Sequence, residues 1–116
     1  GVGMPKADAF DFEKPDLDKT FSNTDENKVR ILLSHYPEVF EDAIKYNVFL
    51  QLSGHTHGGQ LFFPFNLMTK YSNKGYLKGL YQKDGKWLYV STGTGLWGGL
   101  PMRLGTLPEI VEIILE

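Results

Sequence analysis

The feature that most constrains this chain is a strand, helix, strand pattern between residues 28 and 57. KVRILLSH carries a short β-branched and aliphatic run, Val29 to Leu33, stopped by Ser34. That is the pattern of a strand buried on both faces. In PEVFEDAIKY, Pro37 suits a first helical turn, Glu38 complements the positive helix end, and Val39, Phe40, Ala43 and Ile44 form one apolar stripe. Asn47 is a natural stop, and VFLQLSGH then reads as a second strand that breaks at Ser53 and Gly54. A crossover this short predicts parallel strands with a right-handed connection, so that both strands end at the same sheet edge.

Around this unit, Asp8 to Asn27 is acidic and turn-rich, an irregular segment or short helix. Downstream, GYLKGLYQKDGKWLYVSTGTG predicts a β-hairpin turning at Asp84-Gly85. GTGLWGGLPMRLG (93–105) is a glycine-dense loop, and the alternation in EIVEIIL from Glu109 predicts a closing strand.

All three histidines fall at or just after the predicted strand ends: His35 in SHYP, His55 and His57 in SGHTHGGQ. Open α/β sheets bind ligands at the C-terminal ends of their strands. A lone histidine there is usually structural, but three together point to metal. In an extended or turning segment His55 and His57 lie on one side while Thr56 points away, and flanking glycines let the backbone bend and an ion approach. With no cysteine in the chain, the remaining donors must be oxygen or imidazole. Read from the residues alone, the three imidazoles complete a mononuclear zinc site with one open position or form half of a larger one.

The segments SHYP, SGHTHGGQ and GLPMRLGTLPEI together resemble calcineurin-like metallophosphoesterases, in particular a bacterial membrane-associated branch that hydrolyses phospholipid or lipid A precursor diesters. The resemblance runs from about Lys28 to the end. It implies an α/β fold, half of a β-sandwich flanked by helices, built here from the βαβ unit, the hairpin and the C-terminal strand. It implies His35 and His55 on one divalent ion and His57 on a second about 3.5 Å away, with a bridging hydroxide attacking phosphorus. Imidazole-rich ligation of this kind favours Mn, Fe or Zn.

The family's Asp-x-His, Gly-Asp-x-x-Asp and Gly-Asn-His motifs do not occur here. Asp8, Asp11, Asp16 and Asp18 do not match them and read as a solvated acidic loop. The chain is therefore expected to be the C-terminal portion of one domain, 1–27 as lead-in and 28–116 bearing the motifs. Its start at Gly1 reads as a cut inside a longer protein. No catalytic residue is assigned, and by itself the portion is expected to bind metal weakly and catalyse poorly. A truncated module that only binds metal or serves structurally is the competing reading.

Arg103 is a candidate substrate contact, since a guanidinium matches two phosphate oxygens, with a surface or structural arginine as the competing reading. Phe62, Phe63, Phe65 and Tyr71 are core by default or the lining of an acyl path, and Trp97 stands out in its glycine loop. The chain has 116 residues, 41% of them hydrophobic, with formal charge -2 and eight Phe, six Tyr and two Trp. These figures suit one globular domain and give no broad basic surface, so nucleic acid is not an expected partner. The expected partners are a phosphoester substrate and the N-terminal half of the same domain. No apolar run is long enough to span a bilayer.

Overall fold

A computed structural model describes residues 16–61, 63–97 and 101–116. Asp16 caps a short helix, α1 (Leu17–Phe21), by accepting from the Lys19 amide at 2.8 Å. Strand β1 (Arg30–Leu33) follows, then a crossover that begins as a 3₁₀ turn (Pro37–Val39), widens into α2 (Phe40–Ala43) and tightens again as a second 3₁₀ turn (Ile44–Tyr46). Asn47 ends it in the left-handed region at φ 56°, a conformation Asn tolerates better than most residues. Strand β2 (Val48–Ser53) starts immediately after. Helix α3 (Phe65–Ser72) then leads to β3 (Gly79–Lys83) and β4 (Lys86–Val90).

The four strands form one mixed sheet in the order β1-β2-β4-β3. The predicted parallel pairing is present, with Ile31 opposite Leu50 and Leu33 opposite Leu52. The hairpin is also as predicted. Asp84 and Gly85 both take positive φ, 51° and 71°, the twist that matches two antiparallel strands. Not foreseen is that β4 also pairs parallel with β2, Leu50 opposite Trp87 and Ser53 opposite Val90. Three strands thus end at one edge, and the ladder continues past them through Ser91 N to Ser53 O at 2.8 Å.

The crossover packs its stripe as expected. Val39 and Ala43 join Leu17, Leu32 and Val48 in one buried cluster, while Phe40 packs with Tyr76, Leu88 and Val90 in another. Burying side chains of this size stabilises by roughly 1.5–3 kcal/mol each.

Two expectations are corrected. Strand β1 is buried on one face only: Leu32 is inside, whereas Ile31 and Leu33 are exposed, as is Leu80 on β3. The helices cover a single side of the sheet, and continuous apolarity does not reveal whether a second layer is present. The segment from Glu109 to Leu115 is not a strand. Its Ile110, Ile114 and Leu115 are exposed, and it is held at its start by Glu109 N to Gly93 O at 3.1 Å. Alternation specifies a strand only where a neighbour supplies ladder partners, and the β1-β2-β4-β3 sheet offers none to this segment.

Among the described residues no helix is long and apolar enough to cross a membrane.

Candidate metal centre

His35 lies two residues beyond β1 and His55 two residues beyond β2. Parallel pairing brings them together. Nδ1 of His55 is 3.2 Å from Nε2 of His35, with the rings tilted 70° to one another. Tyr36 packs against both, edge-on to His35 and 4.2 Å between centroids from His55. Gln51, fully buried on β2, donates to Tyr36 O at 3.2 Å and Ser53 Oγ at 2.9 Å, tying the loop that carries His35 to the strand that carries His55. Neither Tyr36 nor Gln51 was singled out from sequence, because apolar or amide residues beside a histidine carry no distinctive pattern.

The segment from His55 to Gly59 is not extended. His55 and His57 have φ of 68° and 48°, with Gly58 and Gly59 at 62° and 83°. Imidazole residues in the left-handed region are uncommon and persist only where their surroundings hold them. Those surroundings are visible. Thr56 is buried and donates through Oγ1 to Leu77 O at 2.5 Å, while also lining the cavity that His55 and His57 border. Gly58 is required for a second reason: a Cβ there would meet Thr106 Cγ2 at 2.5 Å and Thr92 Cγ2 at 2.9 Å.

The turn is gripped by the later motif. Arg103 reaches His57 O at 3.4 Å, Leu104 N donates to Gln60 O at 2.9 Å, and Thr106 Oγ1 donates to Gly58 O at 2.9 Å. SGHTHGGQ and PMRLGT, separated by forty residues, are one interlocked unit.

His55 and His57 line the same cavity of about 350 Å³, with Leu61, Met68, Asn73 and Trp97. The Nδ1 of His57 is 3.3 Å from Gly95 O and 3.4 Å from the Arg103 guanidinium. His57 therefore sits beside the His35–His55 pair with its own partners, and among the described residues no three His, Asp or Glu side chains form a metal-holding group.

The spacing of the pair matches a hydrogen bond between the two rings and equally a shared divalent ion. Two nitrogens each about 2.1 Å from one ion, at octahedral to tetrahedral angles, lie roughly 3.0–3.4 Å apart, which brackets the 3.2 Å found. Asp16 caps α1 and Asp18 accepts from Tyr46 OH at 2.7 Å, so both have structural partners. Asp8 and Asp11 lie outside the described residues, as do Phe62 and the side chain of Phe65. Phe63 and Tyr71 are not core: they are 67% and 90% exposed. Trp97 is exposed as well and borders the cavity.

Comparison with known proteins finds relatives of one named kind. A metallophosphoesterase of Helicobacter pylori is 42% identical over 103 residues, 87% of this chain and 27% of its own length. The metallophosphoesterase YkuE of Bacillus subtilis is 39% identical over 104 residues, 88% of this chain and 36% of its own. A transmembrane protein with metallophosphoesterase domain from Bos taurus is 39% identical over 104 residues, 87% and 23% of the two lengths. No family model and no solved structure matches. By this similarity the chain belongs to the metallophosphoesterases and represents a C-terminal portion of them. It spans about a quarter to a third of the length of these relatives.

Proposed function

We propose that the full protein is a metal-dependent phosphoester hydrolase, with a phosphodiester as its substrate, and that this portion supplies His35 and His55 to one divalent ion and His57 to a second. The observation that carries the reading is the 3.2 Å approach of the His35 and His55 ring nitrogens at the edge where three parallel strands end. Ions bound there would supply Lewis acidity and a more acidic water at neutral pH.

This chain's own contribution is positioning. The two strand ends set the separation of His35 and His55. The left-handed turn at His57 turns a second imidazole toward the cavity that His55 lines instead of continuing the strand. The cavity walls contributed by Leu61, Met68 and Trp97 are apolar. The exposed Met68 and Trp97 that line that cavity favour a substrate with an apolar part, such as a phospholipid or a lipid A precursor.

A three-histidine mononuclear zinc site is less well supported, because the described residues bring two of the three histidines together. Turnover of a chromogenic phosphodiester by the full natural chain with added manganese tests the reading. Activity should disappear in His55→Ala and after metal removal by a chelator. Unchanged hydrolysis in either case overturns it.

A further inference from the structure

We infer that Arg103 is a positioning residue for His57 rather than a phosphate contact, acting through the carbonyl of Gly95. This rests on the reading of His57 as a metal ligand given above. The Arg103 guanidinium is already committed to the backbone. Nε donates to Gly95 O at 3.1 Å, one terminal nitrogen donates to Thr92 O at 2.8 Å, to Gly93 O at 3.2 Å and also to Gly95 O, and the other reaches His57 O at 3.4 Å. A planar fork with this many carbonyl partners holds the loop that leaves β4 against the turn that leaves β2.

Gly95 O is the shared point. It also lies 3.3 Å from His57 Nδ1. The Arg103 nitrogen 3.4 Å from that same Nδ1 can only donate, and so can Nδ1 when it faces a carbonyl. The two arrangements exclude each other, and the shorter distance together with the other acceptors available to Arg103 favours Nδ1–H donating to Gly95 O. That bond fixes the tautomer, leaving Nε2 as the nitrogen with a lone pair for a metal, the arrangement in which a ligand histidine is oriented by a backbone carbonyl. The order of dependence runs from Arg103 to Gly95 O, to His57 Nδ1–H, to the basicity and direction of His57 Nε2.

The test compares the wild-type full natural chain with Arg103→Lys, Arg103→Ala and His57→Ala. Calorimetric titration with manganese and with zinc is the first readout. Arg103→Ala should weaken binding about tenfold or more, the usual effect of removing the group that orients a metal ligand. Arg103→Lys, which keeps charge but not the fork, should recover only part of it, and KM for a chromogenic phosphodiester should change little in either. Metal affinity equal to wild type in Arg103→Ala with a raised KM overturns the inference and restores Arg103 as a phosphate contact. If instead His57→Ala binds metal as wild type does, the assignment of His57 as a ligand fails, and that failure is separate.

The second readout needs no variant. In the wild-type chain, nitrogen NMR should show His57 Nδ1 protonated and the Arg103 Nε resonance unmoved by added inorganic phosphate. A protonated Nε2 with bare Nδ1, or an Arg103 resonance that shifts with phosphate, overturns the inference even where Arg103→Ala does not fold.

Discussion

His35 and His55, twenty residues apart in sequence, hold Nε2 and Nδ1 at 3.2 Å because β1 and β2 run parallel and end together. If both nitrogens serve one ion, their losses are not independent. In the full natural chain, His35→Ala and His55→Ala should each weaken manganese or zinc binding by at least about tenfold, and the double variant should add little to either single change. Additive losses in a calorimetric titration would place the two rings on different ions.

Gly58 and Gly54 flank the same histidines and should respond oppositely to alanine. At Gly58, φ is +62° and the added Cβ meets Thr106 and Thr92 side chains below 3.0 Å; at Gly54 nothing lies within 4 Å. Gly58→Ala should cost roughly 1–3 kcal/mol in urea unfolding, through backbone strain and overpacking. Gly54→Ala should stay within about 0.5 kcal/mol, as do most changes away from such features. Equal effects would mean that the turn is not gripped by Thr106.

Glu41 ties the crossover to the hairpin. Its carboxylate pairs with Lys83 and accepts from Tyr76 OH at 2.5 Å. The Lys83 hydrogen bond, then that of Tyr76, holds its pKa below the ordinary 4.5, so the stabilisation is present above that value and is lost as pH falls through the lower folded pKa. Thermal melts should show wild type losing stability on acidification below about pH 4.5, and Glu41→Gln should flatten that part of the profile. Parallel profiles would remove Glu41 from the acid response.

Gly85 is the second residue of the hairpin turn, at φ 71°. Gly85→Ala should destabilise by about 1 kcal/mol, since a Cβ is disfavoured in the left-handed region. Asp84→Asn, which tolerates that region equally well, should be close to neutral. Chemical unfolding of both decides whether turn chemistry or cross-strand packing dominates this hairpin.

Much of the local structure was legible because local rules govern it. The turn at Asp84-Gly85, the stop at Asn47, the apolar stripe of Val39, Phe40 and Ala43, and the arrival of His35 and His55 at one edge all follow from spacing and residue type. What failed depended on partners. Leu33 is exposed although its run reads as buried, and Ile110 and Ile114 alternate without a strand to pair with. The segment His55-Thr56-His57 reads as either extended or turning, and only the structure shows that it turns with both histidines left-handed. Arg103 reads as either a phosphate contact or a surface or structural arginine until its carbonyl partners are seen.

By itself the sequence determined the parallel βαβ unit and the kind of donors at its edge, since hydrophobic period, caps and turn residues act within a few positions of one another. Only the tertiary structure decided that β4 pairs with β2, carrying Gly95 to His57, and that residues 103–106 close over the turn at 57–60. Those contacts join residues far apart in the chain through backbone carbonyls and amides, which every residue carries alike. No pattern of side chains announces them.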